Sequence, residues 1–366
     1  MRIGVPKEIK ADEHRVALLP WGVAELVARG HVVYIEKGAG KGINIGDRVY
    51  RKAGATMCSK RELYGIAEMI VKVKEPIGEE LDLLRDHQIL FAFLHLAAEP
   101  ALLATLLKKN VTAIAFETVQ ADSGLLPILA PMSEIAGRMA PQVAGACLLK
   151  KSGGCGMLLG GVPGVSPANV VIVGGGIVGV NAARIALGMG ALVTIFDVSL
   201  EKLRHLDQVF SGRVQTVLSS PRNLRDRLET AHLVIGAALV PGAKTPHIIT
   251  AEMIRGMQRG SVFVDVSIDQ GGCSETSLPT THSKPTYILD DVVHYCVTNM
   301  PGGVALTATH ALSNVTFPYI FQIAADGLDW ALQDRTLARG LNVHQGVVMH
   351  KAVKAARSLR HTNDLS

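Results

Sequence analysis

Cysteine is scarce in this chain of 366 residues, and it is not patterned. The five present, Cys58, Cys147, Cys155, Cys273 and Cys296, are odd in number and scattered, and no C-x-x-C occurs. That speaks against a disulfide framework or a zinc site and for reduced thiols; no metal is expected. A large excess of charge is missing too. With 37 Lys and Arg against 32 Asp and Glu, the net charge is +5, far from the basic density of a dedicated nucleic-acid binder. The most basic stretch, Lys351, Lys354, Arg357 and Arg360 at every third residue, reads as a solvated helix face. The N-terminal Met1-Arg2-Ile3-Gly4-Val5-Pro6-Lys7-Glu8 lacks an apolar signal core, and a cytoplasmic location is expected. No internal repeat at a solenoid period is present.

One long apolar run does occur, over residues 170–196, and it is long enough to span a bilayer. Three adjacent glycines interrupt it, however, and Asn181 and Arg184 fall in its helical part. A βα unit buried on both faces of a parallel sheet has the same hydropathy, so no membrane span is expected. The mean hydropathy of +0.27 is high for a monomer. Burial of extra apolar surface between subunits would account for it, so a homo-oligomer is expected.

The same run holds the most informative feature. Val170-Val171-Ile172-Val173 leads into Gly174-Gly175-Gly176-Ile177-Val178-Gly179, then a helix over Val180 to Met189, a second strand over Ala191 to Phe196, and Asp197. Gly174, Gly176 and Gly179 match G-x-G-x-x-G in the strand–turn–helix setting that a dinucleotide site requires. The first glycine permits the tight turn, the second lets backbone N–H groups approach a pyrophosphate, and the third lets helix and strand pack closely. Asp197, 21 residues after Gly176, is placed to accept from ribose hydroxyls. A carboxylate there favours a free 2′-hydroxyl, hence NAD over NADP. Lys202 and Arg204 follow closely; an exposed loop or helix start explains them.

Beyond Asp197, helices near 200–209, 221–230 and 251–257 alternate with strands near 214–218, 233–236 and 261–266, and Tyr287 to Leu289 reads as the last strand. In the first half, strands are expected at 2–5, 32–36, 69–72, 88–94 and 111–115, with helices at 21–28 and 79–84. From Leu306 onward the pattern is mostly helical. The expectation is an α/β protein of two doubly wound Rossmann-like domains with parallel sheets and an interdomain cleft. Residues 1–130 plus 305–366 form the substrate (catalytic) domain and 131–304 the NAD-binding domain, with 131–150 and 300–311 as crossings.

Ligands of open parallel sheets bind beyond the carboxyl ends of the strands. Lys74 follows Ile70-Val71-Lys72-Val73, His95 follows Ile89 to Leu94, and Asp269 follows Val262 to Val266. Each also has a plain explanation: a strand-end cation, a satisfied buried histidine, and a turn cap. Arg15, between apolar segments, reads equally as a surface ion-pair partner.

Blocks along nearly the whole chain carry a more specific signal. Gly4-Val5-Pro6-Lys7-Glu8, Glu13-His14-Arg15-Val16-Ala17, Val73-Lys74-Glu75-Pro76, Phe93-Leu94-His95-Leu96-Ala97, Glu117-Thr118-Val119, Gly160 to Val165, Asp265 to Gly272 and Thr298-Asn299-Met300-Pro301 together resemble the alanine dehydrogenase family, in family order. The resemblance implies reversible, NAD-dependent oxidative deamination of L-alanine to pyruvate and ammonium. It implies that Arg15 and Lys74 bind the substrate carboxylate, that His95 is the acid–base group, and that Asp269 is its catalytic partner. It implies cofactor positions at Ser133, Gly174, Gly176, Val178, Gly179, Asp197, Lys202, Ser219, Leu239, Ile268, Asn299 and Met300, and a homohexamer. Phe93 and Met132 are expected to limit space beside the alanine methyl. Two departures stand out: Leu278 replaces a usual arginine near the adenosine end of the cofactor, and Leu19 replaces a usual threonine. Rivals are a transhydrogenase-like NAD-binding component, another amino-acid dehydrogenase, and a non-catalytic NAD-sensing module.

Overall fold

The structure, a computed structural model, describes residues 1–238 and 245–363. The chain divides into two units, Met1–Met132 with Gly302–Ser366, and Ser133–Pro301.

The first unit begins with strands β1 (Arg2–Val5), β2 (Val32–Glu36), β3 (Thr56–Cys58), β4 (Met69–Val71), β5 (Ile89–Ala92) and β6 (Thr112–Ala115). All pair in parallel, in the order β3-β2-β1-β4-β5-β6. The sheet changes direction between β1 and β4. Strands β4, β5 and β6 are buried along their whole length. That explains why they read as continuous apolar runs rather than alternating ones. The three-residue β3 is too short to show a period and escaped the sequence reading.

The second unit holds β7 (Asn169–Val173), β8 (Leu192–Asp197), β9 (Gln215–Leu218), β10 (Leu233–Gly236), β11 (Val262–Asp265), β12 (Thr286–Leu289) and β13 (Val292–Tyr295). The sheet order is β12-β13-β11-β10-β7-β8-β9. Without its antiparallel edge strand β12, this repeats the order of the first unit, with the change of direction between β7 and β10. Tyr287 to Leu289 is therefore not the last strand. The chain turns back through Asp290 and Asp291, both at positive φ (50° and 61°), and β13 pairs parallel to β11. A two-residue hairpin turn of this kind is usually announced by glycine or Asn-Gly. Two aspartates hide it, and the buried His294 breaks the apolar run of β13.

The C-terminal part departs further from expectation. Helix Ala305–Asp326 is present, but β14 (Leu341–His344) and β15 (Val347–Val348) follow it. They form an antiparallel hairpin that extends the first sheet beyond β6. Only short pairing supports these strands, so their sequence carries little periodic signal. On the final helix, Lys351–Asn363, residues Lys351, Lys354 and Arg357 are exposed, as a solvated face requires. Among the described residues, no helix is long and apolar enough to cross a membrane.

Small residues decide how helices stack in the second unit. Ala136, Ala140 and Ala144 of helix Ala130–Cys147 share a buried cluster with Ala182, Ala183 and Ala186 of helix Ile177–Gly188. At Gly137 a Cβ would lie 2.3 Å from the Val178 carbonyl oxygen. Any larger residue would push the helices apart.

Candidate active site

In the second unit the glycine turn sits where the sheet changes direction. Gly174 has φ +112°, and a Cβ there would lie 2.6 Å from the Ala237 carbonyl oxygen. Gly179 is tighter: a Cβ would fall 1.9 Å from the Gly174 carbonyl oxygen. Gly176 differs, for nothing lies within 4 Å of its would-be Cβ. Its backbone opens onto free space as the N-cap of helix Ile177–Gly188, which therefore begins three residues earlier than the sequence pattern suggested. No side chain caps this terminus, so its N–H groups and positive dipole end suit an anion.

Asp197 ends β8 and is buried. One of its oxygens accepts from the Gly175 N–H at 2.9 Å, the other from the Ser199 N–H at 2.9 Å. The carboxylate is thus bolted to the glycine turn and retains acceptor capacity for a hydroxyl. The exposed Lys202 ammonium lies 3.8 Å from it, on the first turn of helix Leu200–Phe210. The Ser219 N–H donates to the Asp197 carbonyl. Val178 belongs to the helix that opens at Gly176, and Ser133 lies one turn before Gly137, on the face of its helix that meets Val178. Leu239 lies outside the described residues.

After β11 the chain makes a 3-10 turn, Val266–Gln270, carrying buried Ile268 and exposed Asp269. Asp269 does not cap its own turn: both its oxygens accept from the Asn299 N–H, at 3.1 and 3.3 Å. Asn299 has φ +56°, and Met300 beside it is buried. Asp265 anchors the loop, accepting from the N–H groups of Ser267 and Cys273 and the Ser277 hydroxyl. Burial raises its pKa above the ordinary carboxylate value, against those hydrogen bonds. Leu278 is largely exposed.

In the first unit, polar groups gather at the carboxyl ends of β1, β4, β5 and β6. Arg15 is no surface residue, being 2 % exposed. Its Nε and Nη2 donate to the two Glu13 oxygens at 2.7 and 2.5 Å, its backbone N–H donates to Glu13 as well, and Nη1 reaches Met132 Sδ at 3.3 Å. The side-on edge of the guanidinium is therefore filled by Glu13. The Lys74 ammonium lies 5.9 Å from the centre of the Phe93 ring, a cation–π distance. Phe93 in turn stacks on His95, with centroids 6.2 Å apart and planes 9° from parallel. Lys74 and His95 are thus both brought next to one aromatic ring. His95 is exposed at φ +46°, so it is not a satisfied core histidine.

Three carboxylates that no spacing rule marked hold these groups. Glu8 accepts from the N–H groups of Val73 (2.6 Å) and Lys74 (3.4 Å) and from the Lys72 ammonium (3.2 Å). Lys72 also reaches Glu80, which accepts from the Tyr64 hydroxyl. Burial drives the Glu8 pKa up, opposed by Lys72 and reinforced by the charge of Glu13. Glu13 fixes Arg15, and Glu117 accepts from the N–H groups of Leu94 and His95. The only signal for them was their presence in the blocks Gly4 to Glu8, Glu13 to Ala17 and Glu117 to Val119.

Family models for the alanine dehydrogenase/PNT N-terminal domain and C-terminal domain match residues 4–136 and 140–351. The chain belongs to the alanine dehydrogenase/PNT family. It is 53% identical to an alanine dehydrogenase of Methanococcus maripaludis over 99% of this chain and 98% of that one. Identity to the alanine dehydrogenase of Bacillus subtilis is 52%, over 96% and 94% of the two chains. A solved L-alanine dehydrogenase superposes with a TM-score of 0.95 at 48% identity, covering 98% of this chain and 99% of the other. A transhydrogenase structure from Sinorhizobium meliloti matches at TM-score 0.83 but 23% identity, over 95% and 100% of the chains, a likeness of fold. Among family members, then, identity is about half with alanine dehydrogenases and a quarter with the transhydrogenase.

Proposed function

We propose that this chain is an NAD-dependent L-alanine dehydrogenase, converting L-alanine and water to pyruvate and ammonium, reversibly. The observation that carries the proposal is the group at the strand ends of the first unit. A guanidinium gripped by Glu13, and an ammonium and an exposed imidazole whose main-chain N–H groups are gripped by Glu8 and Glu117, suit a small amino or keto acid.

Arg15 and Lys74 bind the substrate carboxylate. Glu13 fills the side-on edge of Arg15 and fixes its orientation, with Lys74 adding point charge. Phe93 and Met132 border this region and limit the substrate side chain. NAD fits the second unit on the open space at Gly176, which a side chain would fill; when bound it supplies the hydride acceptor. Gly174, Gly176, Val178 and Gly179 would hold its pyrophosphate, Asp197 its ribose, and Ser133, Lys202, Ser219, Leu239, Ile268, Asn299 and Met300 its remaining contacts. His95 removes a proton from the substrate ammonium, and later manages protons as water adds to the imine and ammonia leaves. Asp269 handles protons at the amine. The proposal includes a cytoplasmic homo-oligomer, six subunits by family resemblance, acting on small molecules, without nucleic-acid or membrane partners.

The test is NADH formation from NAD and L-alanine at alkaline pH, followed at 340 nm. Turnover with alanine supports the proposal. NAD binding without turnover on any amino acid would replace it with a sensor module, and hydride exchange between nucleotides with a transhydrogenase component.

A further inference from the structure

We infer that Glu117 is the positioning residue of His95: its carboxylate grips the main chain of the turn from which the imidazole projects. The inference rests on the role of His95 in the proposed reaction. Strands β5 and β6 are parallel neighbours in register, with Ala92 opposite Ala115. Two and three residues beyond Ala92 come Leu94 and His95; two beyond Ala115 comes Glu117. The register thus sets the Glu117 side chain next to the amides that follow β5. Its Oε1 accepts from the His95 N–H at 2.7 Å and its Oε2 from the Leu94 N–H at 3.2 Å.

His95 needs such support. A φ of +46° places a residue bearing a Cβ in the left-handed region, which persists only where surrounding contacts over-determine it. Within the turn, the Ala98 N–H returns to the His95 carbonyl at 2.8 Å. On the strand side, the Phe93 N–H donates to the Val73 carbonyl at 3.0 Å. The two amides between these bonds, Leu94 and His95, go to Glu117. The clamp is itself braced. Thr118 Oγ1 donates to the carbonyls of Ala115 and Gly340, and Asn342 Nδ2 donates to Thr118 Oγ1 at 2.6 Å. The antiparallel strand β14, which the sequence concealed, thereby steadies the turn carrying Glu117. Glu117 touches His95 through its backbone, so it sets the direction of the imidazole and takes no proton in the reaction.

Glu117→Gln tests this, because the amide keeps the size but can accept only one N–H and turns its own N–H₂ toward the other. The expected result is a fall in kcat of about 10- to 100-fold with KM for L-alanine changed less than about 3-fold and the dissociation constant for NAD unmoved. In the double variant His95→Ala/Glu117→Gln, kcat should equal that of His95→Ala, since a residue acting through the imidazole has nothing left to position. Hydrogen exchange by mass spectrometry gives a readout independent of turnover: the amides of Leu94 and His95 should exchange at least about tenfold faster in Glu117→Gln, with Ile89–Ala92 still protected. Additive losses in the double variant, or unaltered exchange at Leu94 and His95, would overturn the inference. So would a Glu117→Gln chain in which all of β5 loses protection, for the carboxylate would then hold the sheet and not one turn. If the wild-type chain fails to oxidise alanine while the exchange result holds, the enzymatic proposal has failed and takes the assigned role of Glu117 with it; normal wild-type turnover with an active Glu117→Gln sinks this inference alone.

Discussion

The two units share one strand order and use it in opposite ways. Each sheet runs 3-2-1-4-5-6 in its parallel part and changes direction beside its first strand. In the first unit that place is crowded with charge: Glu8 after β1, Lys72 and Lys74 at β4, with Glu80 beneath them. Side chains do the gripping, and the backbone amides are consumed by carboxylates. In the second unit the same place is emptied of side chains. Gly174 and Gly179 permit a close backbone approach, and Gly176 faces open space. A fold thus fixes where a ligand sits, while the residue types at that point fix its size and charge. A small zwitterion calls for a few aimed side chains; a pyrophosphate spreads its charge over main-chain N–H groups.

The largest test of this contrast removes the exposed imidazole that follows β5, His95. His95→Ala should lower turnover by about two to four decades while NAD affinity, which the proposed function assigns to the other unit, stays within about twofold by equilibrium fluorescence titration. A parallel loss of NAD affinity would end the division of labour. The counterpart in the second unit is Gly179→Ala against Gly176→Ala. The first should cost about 1–3 kcal/mol of stability or more, since its methyl meets a backbone oxygen. The second should melt within a few degrees of wild type yet bind NAD at least about tenfold more weakly. Equal melting temperatures for the two variants would show that the glycines are interchangeable.

A pH titration sharpens the first unit. Burial raises the Glu8 pKa in the folded chain, so between the unfolded and folded values the native state holds the extra proton. Stability from this group is therefore present at low pH and declines as pH rises from about 4.5, by up to about 1.4 kcal/mol per unit. Urea unfolding of Glu8→Gln, which cannot titrate there, should show its stability relative to wild type increasing with pH across that window; a constant or reversed difference contradicts it. The smallest effect is expected at the rim of the second unit. Leu278 is exposed at a position where the family resemblance implies an arginine, and Leu278→Arg should tighten NAD binding about two- to threefold at low salt, fading at high salt. Calorimetry at two ionic strengths checks it.

Most of the parallel core was legible because buried strands announce themselves as apolar runs bounded by polar turns. β4, β5, β10 and β11 are of this kind. Short or irregular strands were not: β3 has three residues, β13 carries a buried histidine, β14 leans on β6 from more than two hundred residues away, and the two-residue β15 pairs with β14. At the site, residues that stand directly after apolar strands, such as Lys74, His95 and Asp269, could be picked out by position. Glu8, Glu13 and Glu117 could not, because what distinguishes them is a hydrogen bond to a particular amide. Glutamate is common on surfaces, and nothing in its neighbours says that these three face inward.

Local chemistry along the chain settled the glycine turn, its following helix and the acid at Asp197, since each depends on residues within about thirty positions of one another. Only the folded chain decided that Asp197 is bolted to Gly175, that Arg15 spends one edge of its guanidinium on Glu13, and that Glu117 holds the turn of His95. Hydrogen bonds are short-ranged and directional, so who accepts from whom is set by strand register and turn geometry, which composition and spacing do not encode.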